Sequence, residues 1–268
     1  MKRLKTIAAA VLSAVALAGT LGLATACSSP STDTAAPAYV SPYDWNGLER
    51  SGANNDRLAY YEDGTLRSRL GVDVSDHQGV IDWNAVAADG IDFAMVRVGN
   101  RGYTEGTLYA DERYAENIDN ATSAGLDVGA YFFSQAVSVE EAREEADFVL
   151  ELLAGRHLAF PVVYDHEPVS DASGRANNLD RETLTASARA FCERLEQGGY
   201  STMIYGNSGD MARYNRADLG EHPVWFAEYD AAEPHGQFDF VMWQYTNAGT
   251  VNGISTAVDL NLLLTELA

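Results

Sequence analysis

Phe160-Pro161-Val162-Val163-Tyr164-Asp165-His166-Glu167 is the stretch on which the reading of this chain turns. The apolar run from Phe160 to Tyr164 predicts a buried strand that ends in acids. Residues two apart on a strand share a face. Asp165 and Glu167 are therefore expected to point the same way, with Cβ atoms roughly 6–7 Å apart, and His166 the opposite way. Two carboxyls at the C-terminal end of a strand can act as an acid and an anionic stabiliser, because each raises the proton affinity of the other. Taken alone, the pair also fits a solvated strand end carrying two surface acids. The surrounding pattern decides between these readings.

From Leu70 onward, strand and helix patterns alternate. Strands are predicted at 71–74, 93–98, 128–133, 160–165 and 202–205. Helical periodicity follows each one. It covers 82–88 with Asp82 as N-cap, 111–124 stopped by Gly125, 139–153 capped by Ser138, 180–197, and a weaker stretch at 208–219. Three further strands, 224–228, 240–245 and 258–260, are separated by loops with little helical pattern. Five strand–helix units followed by three strands predict an α/β fold, a parallel barrel that loses its late helices. Such a barrel gathers its C-terminal strand ends on one face, and that face carries the site. Those ends bear Asp73, Arg97, Tyr131, Asp165 with Glu167, Tyr205, Trp225 with Tyr229, Gln244 and Asp259. Four carboxyls thus ring a mouth lined with aromatics. Aromatic faces stack on the apolar faces of sugars, while carboxylates and amides bind hydroxyls. No Gly-rich phosphate loop, HExxH or CxxC occurs, so neither phosphoryl transfer nor a thiolate metal site is indicated. Asp76-His77 beside Asp73 lacks a further His at ligand spacing, so no metal or other cofactor is expected.

Gly71-Val72-Asp73-Val74-Ser75, His77-Gln78-Gly79 and Ile81-Asp82-Trp83 resemble the opening of the glycoside hydrolase family 25 lysozymes. Gly129-Ala130-Tyr131-Phe132-Phe133, Asp165-x-Glu167, Ile204-Tyr205-Gly206-Asn207, Trp225-x-Ala227-x-Tyr229, Trp243-Gln244-Tyr245 and Val258-Asp259-Leu260-Asn261 match that family in order. The resemblance runs from about residue 70 to the C-terminus. It implies an irregular β/α barrel of eight strands and five helices. It also implies a muramidase that cleaves the β-1,4 bond between N-acetylmuramic acid and N-acetylglucosamine in peptidoglycan. Glu167 matches the general acid, and Asp165, Asp73 and Asp259 the other active-site acids. Tyr131, Tyr205, Trp225, Tyr229 and Gln244 become candidate substrate contacts, as does Arg97 unless it pairs with a barrel carboxylate. Two mechanisms stay open. Either Asp165 orients the substrate's own acetamido group for attack, or a carboxylate activates water.

Residues 1–26 have the layout of a secretory leader: basic Lys2, Arg3 and Lys5, then an uncharged apolar run. Leu23-Ala24-Thr25-Ala26-Cys27 resembles a bacterial lipobox, with Ala24 where Leu is usual. Lipidation of Cys27 and ordinary leader cleavage are the alternatives. Either places the chain outside the cytoplasm, as a membrane lipoprotein of the cell surface or a secreted protein. The Ser-, Thr-, Ala- and Pro-rich stretch up to Val40 reads as a tether, so 27–40 are assigned to it. Residues 41–69 are too aromatic for a linker. They predict an extension packed on the barrel of 70–268, with a hairpin turn at Asp63-Gly64. Net charge is −21, and the leader carries only cations, so its loss deepens the deficit. That charge argues against nucleic acid and against contact with anionic lipid except through a lipid anchor. Cys27 and Cys192 are the only cysteines; Cys192 reads as a small buried apolar residue. The expected partner is the peptidoglycan glycan strand, met by a monomer. Competing readings are a related barrel glycosidase acting on chitin and a catalytically silent wall-binding lipoprotein.

Overall fold

The structure is a computed structural model that describes residues 38–52, 56–265 and 267. The leader, Cys27 and the tether up to residue 37 lie outside the described residues. Three short strands come first, β1 (Leu48–Ser51), β2 (Arg57–Glu62) and β3 (Thr65–Leu66), in one antiparallel sheet. Asp63 (φ 49°) and Gly64 (φ 73°) make the two-residue turn between β2 and β3. Positive φ at both central positions gives a turn whose twist matches the flanking strands, which is why Asp-Gly marks it. Trp45 stacks on Phe240 with centroids 6.1 Å apart, and the Tyr43 hydroxyl donates to the Phe240 carbonyl at 2.9 Å. These contacts seat the small sheet against the segment that enters the seventh barrel strand.

The barrel follows as β4 (Arg69–Val74), α1 (Trp83–Ala88), β5 (Phe93–Arg101), β6 (Leu108–Ala110), α2 (Tyr114–Ser123), β7 (Asp127–Phe133), α3 (Val139–Leu153) and β8 (Val162–Asp165). It continues as α4 (Arg181–Gln197), β9 (Thr202–Asn207), α5 (Ser208–Arg213), β10 (Val224–Ala227), β11 (Met242–Gly249) and β12 (Val258–Leu263). Eight strands close in the order β4-β12-β11-β10-β9-β8-β7-β5, with β5 paired back to β4. The expected caps form. Asp82 accepts from the Ala85 N–H and Ser138 from the Glu141 N–H, each satisfying a donor left open at a helix start.

The structure corrects the expectation of an all-parallel barrel. β12 runs antiparallel to both β11 and β4. The connection at 250–257 contains no helix, and a parallel return needs a crossover of a dozen or more residues. Asp259 therefore reaches the mouth from the start of its strand, in register with Asp73. The helix expected from 111 begins only at Tyr114, because 108–110 pair with β5 as β6. The helix expected over 208–219 breaks after Arg213, and only a 3-10 turn at Arg216–Asp218 follows.

Two cores result. Phe93, Met95, Val163, Met203, Trp225, Met242 and Leu263 fill the barrel interior with bulky side chains. Val72, Val96, Phe132, Tyr164, Phe191 and Leu195 belong to the larger core between sheet and helices. At Gly71 the interior leaves no room for a side chain. A Cβ there would lie 2.3 Å from the Phe93 ring.

Candidate active site

Alternation along the strands assigns the mouth. On β8, Val162 and Tyr164 join the outer core and Val163 the inner one, so Asp165 faces inward. Asp165 and Glu167 come close enough to share a hydrogen bond. His166 faces away and is fully buried; its Nδ1 lies 3.1 Å from the Ser134 carbonyl and its ring stacks on Tyr164. Burial lowers its pKa to about 4, so the imidazole is neutral at neutral pH.

Asp73, Gln244 and Asn261 form one hydrogen-bonded unit. The amide oxygen of Gln244 accepts from the hydroxyls of Tyr205 (2.7 Å) and Tyr229 (2.8 Å). Its Nε2 must then face Asp73, where it donates to Oδ2 at 2.8 Å. The Asn261 oxygen accepts from the Trp225 indole N–H at 2.8 Å, which turns its Nδ2 onto the same Oδ2, also at 2.8 Å. Two donors on one oxygen favour the anion of Asp73, against a burial that raises its pKa. Asp259 hydrogen-bonds to Asp73. Burial first and the Asp73 charge second push its pKa up to about 8. Asp259 is thus the proton holder of this pair.

In the second pair, burial raises both groups. Asp165 stands well above the usual carboxylate range, through burial and then the charges of Glu167 and Asp73. Its Oδ1 has no hydrogen-bond partner, which further disfavours the anion. Glu167 is raised to about 7 by burial, then by the charges of Asp210 and Asp73, while the hydrogen bond from Asp165 lowers it. Burial, one of the two causes expected for Glu167, is thus the first of them, and the charge of Glu167 in turn raises Asp165. The two carboxyls share the proton as one interacting pair. Two pairs with one proton each set a neutral acid beside an anion near neutral pH, the combination that acid–base chemistry requires.

Two other candidates are placed differently from expectation. Arg97 does not stand free in the mouth. Its Nη2 pairs with Asp76 Oδ1 at 2.6 Å, and it also binds the fully buried carboxylate of Asp111 at 2.9 Å. Two carboxylates so close together fix the loop after β4 and engage the guanidinium. Trp225 is 1% exposed, lies in the interior below the mouth against Tyr205, and presents no face to a ligand. It supports Asn261 instead. Tyr131 is half-buried at the mouth, edge-on to Trp225, and Tyr229 is exposed where its hydroxyl meets Gln244.

Sequence reasoning passed over several residues. Asn261 was findable, being two past Asp259 on one strand and so on the same face. Asp210, buried at the start of α5, gave no signal. Nor did the clamp behind the Asp165–Glu167 segment. There, Ser134 N donates to the Asp165 carbonyl at 2.7 Å and Gln135 Nε2 to the Glu167 carbonyl at 2.9 Å. Buried Glu145 on α3 accepts from Ser134 Oγ and Gln135 N and pairs with Arg101 at 2.8 Å.

A family model described as Glycosyl hydrolases family 25 matches residues 72–254. The chain belongs to this family. It is 28% identical over 191 residues to the autolytic lysozyme of Clostridium acetobutylicum, a match covering 71% of this chain and 54% of that protein. It is also 28% identical over 205 residues to lysozyme M1 of Streptomyces globisporus, covering 71% and 66%. The chain therefore matches only part of the length of these curated relatives. Among solved structures, the spore cortex lytic enzyme SleM of Clostridium perfringens superposes with a TM-score of 0.65 at 23% identity, covering 75% of this chain and 69% of that one. A family 25 glycosyl hydrolase of Bacillus anthracis gives 0.64 at 23%, covering 78% and 93%. At these identities the structures speak to the fold, an α/β barrel of the family 25 type.

The raised carboxyls have a consequence for stability. A folded state that holds protons the unfolded chain has released loses stability as pH rises from the unfolded pKa through the folded one. For Asp259 that window runs from the ordinary 3.8 to about 8. Asp259→Asn is expected to narrow the difference between the melting temperatures at pH 5 and pH 8, chiefly by raising the value at pH 8. Scanning calorimetry at the two pH values checks this, and an unchanged difference would refute it.

Proposed function

We propose that the chain is a muramidase that hydrolyses the β-1,4 bond between N-acetylmuramic acid and N-acetylglucosamine in peptidoglycan. One observation carries the reading: four carboxyls meet at one barrel mouth as two hydrogen-bonded pairs, with Glu167 raised to about 7. The family membership and the lysozyme relatives support it. Glu167 protonates the leaving oxygen. Asp165, two residues before it at the end of β8, orients the substrate's acetamido group, whose oxygen bonds to the anomeric carbon as the glycosidic bond breaks; a water then opens the ring so formed and gives its proton back to Glu167. The close approach of Asp165 and Glu167 supports this course over one in which these two carboxyls hold a water between them across about 6.5–9.5 Å. Asp73, with Asp259 as its hydrogen-bonded proton holder, supplies the negative potential that favours the positive charge developing on the sugar ring. Tyr131, Tyr205, Tyr229 and Gln244 shape the cleft around it, and no cofactor takes part.

The division into leader 1–26, tether 27–40, extension 41–69 and barrel 70–268 belongs to the same reading. So does an extracytoplasmic monomer held by a lipid on Cys27. A diacylated cysteine supplies two chains, enough for stable anchoring where one is marginal. Cys27→Ser is expected to move the protein from the membrane fraction to the medium with its activity intact. Membrane association that survives the change would make the apolar leader the anchor, and a wild type already in the medium would mean ordinary secretion.

Digestion of purified peptidoglycan tests the activity itself. Reduction and analysis of the new ends is expected to identify N-acetylmuramic acid. Chitin oligomers cleaved in preference to peptidoglycan would move the assignment to a related glycosidase. Glu167→Gln preserves size but cannot donate a proton, and it should lower turnover by about 10²–10⁴-fold with folding unchanged. Activity within a few-fold of wild type would remove Glu167 from the acid role.

A further inference from the structure

β6 is the element that the sequence pattern gave no hint of, and its position points to a use. Low on the barrel, the free edge of β5 pairs with β4 through residues 93–96; higher up, at the mouth, that edge pairs with β6 through 99–101. The β5–β6 hairpin therefore raises one wall of the mouth above the closed barrel. Its inner face is fixed by alternation. Phe132 packs outward on Phe148 and Phe191, so Phe133 faces inward. Arg101 reaches outward to Glu145, so Asn100, paired with Phe133, faces inward. Tyr109 pairs directly with Asn100 and shares its face.

Asp165, Phe133, Asn100 and Tyr109 are successive register partners across β8, β7, β5 and β6. They form one transverse row of inward side chains that starts at the catalytic pair. Three strand spacings of about 4.8 Å put Tyr109 roughly 14 Å along the sheet from Asp165. That is farther than a single sugar ring spans. Tyr109 is 47% exposed, whereas Phe133 and Asn100 are half-buried. The Tyr109 hydroxyl donates to Glu105 Oε1 at 3.1 Å, which ties down the edge of the ring and leaves its face open. The row thus offers two aromatic faces with an amide between them, continuous with the catalytic mouth.

We propose that this row is a glycan-binding shelf, in which Tyr109 and Phe133 stack against pyranose rings and Asn100 hydrogen-bonds a hydroxyl or acetamido group. Its occupant at Tyr109 is a neutral N-acetylated sugar of the same strand, beyond the rings at the cleaved bond. The inference rests on the muramidase reading for the identity of that strand. The C–H faces of a pyranose carry slight positive charge and meet the negative face of an aromatic ring, so stacking needs no ionic group. That suits a chain of net charge −21. The partly buried amide supplies direction. The shelf extends the site through chemistry that the catalytic carboxyls do not provide.

The full-length wild type is compared with Tyr109→Ala and Tyr109→Phe on two substrates: long solubilised glycan strands, and a tetrasaccharide with two rings on either side of its cleaved bond, too short to reach Tyr109. Loss of one stacked ring should lower kcat/KM on long strands roughly three- to tenfold more than on the tetrasaccharide. The effect should appear mainly in KM, because a remote ring is held equally in ground and transition states. Tyr109→Phe keeps the face and should return the ratio to within twofold of wild type. Equal effects on both substrates, or none, would overturn the shelf. If the wild type cleaves neither substrate, the muramidase reading fails on its own account. The shelf is then judged by binding of the long strands to Glu167→Gln with and without Tyr109→Ala. Weaker binding of the double variant by the same factor supports it, and equal or absent binding rejects it.

Discussion

Burial of Asp73 against two side-chain amides is the interaction on which the site depends. Gln244 comes from β11 and Asn261 from β12, and both donate to one oxygen of a residue on β4. Each amide is fixed from its far side, one by two tyrosine hydroxyls and the other by an indole N–H. An amide whose oxygen is occupied has only its nitrogen to offer, so the interior dictates that Asp73 receive donors. The unit also bridges the place where the barrel closes. β12 lies between β11 and β4, and its antiparallel course puts Asp259 opposite Asp73. Had the strand run parallel, its first residues would have faced the bottom of the barrel. One topological exception thus creates the carboxyl pair.

The electrostatics follow from burial rather than from cations. Arg97, the basic residue on a strand end at the mouth, is committed to Asp76 and Asp111. The four acids are left to one another. Adjacent buried carboxyls cannot all ionise, so each pair keeps a proton toward neutral pH, Asp73 with Asp259 and Asp165 with Glu167. Glu167 lies between the extremes, raised to about 7 and able to exchange a proton near neutrality. Its backbone is not left to a mobile strand end. Ser134 and Gln135 hold the peptide groups of Asp165 and Glu167, and Glu145 with Arg101 holds those two residues from behind. The geometry of the acid thus depends on a helix on the outside of the barrel.

Much of this was legible from residue order. The alternation of strands and helices, the caps at Asp82 and Ser138, the turn at Asp63-Gly64 and the carboxyls at strand ends all rest on local rules. The resemblance to family 25 then implied the roles. What escaped the reading depends on distant partners. The direction of β12 follows from a connection lacking a helix, which periodicity alone does not reveal. β6 is three residues long and exists because β5 presents an edge at that height. Trp225 has the composition of a sugar platform, yet its place in the interior makes it a support. Arg97 looked like an even choice between substrate and ion pair, and two acids far apart in sequence decided it. Asp210 and Glu145 carry no motif, and only the folded chain brings them near the site.

The account's central claim is that the mouth holds two carboxyl pairs, each retaining one proton near neutral pH. Carbon-13 NMR of the full-length protein labelled at Asp and Glu side-chain carboxyls measures this directly, with Asp→Asn and Glu→Gln variants to assign the signals. The account predicts that Glu167 and Asp259 titrate near pH 7 and 8, while Asp165 stays protonated well above the ordinary carboxylate range. If all four carboxyls at the mouth were ionised by pH 5, the paired arrangement would be contradicted.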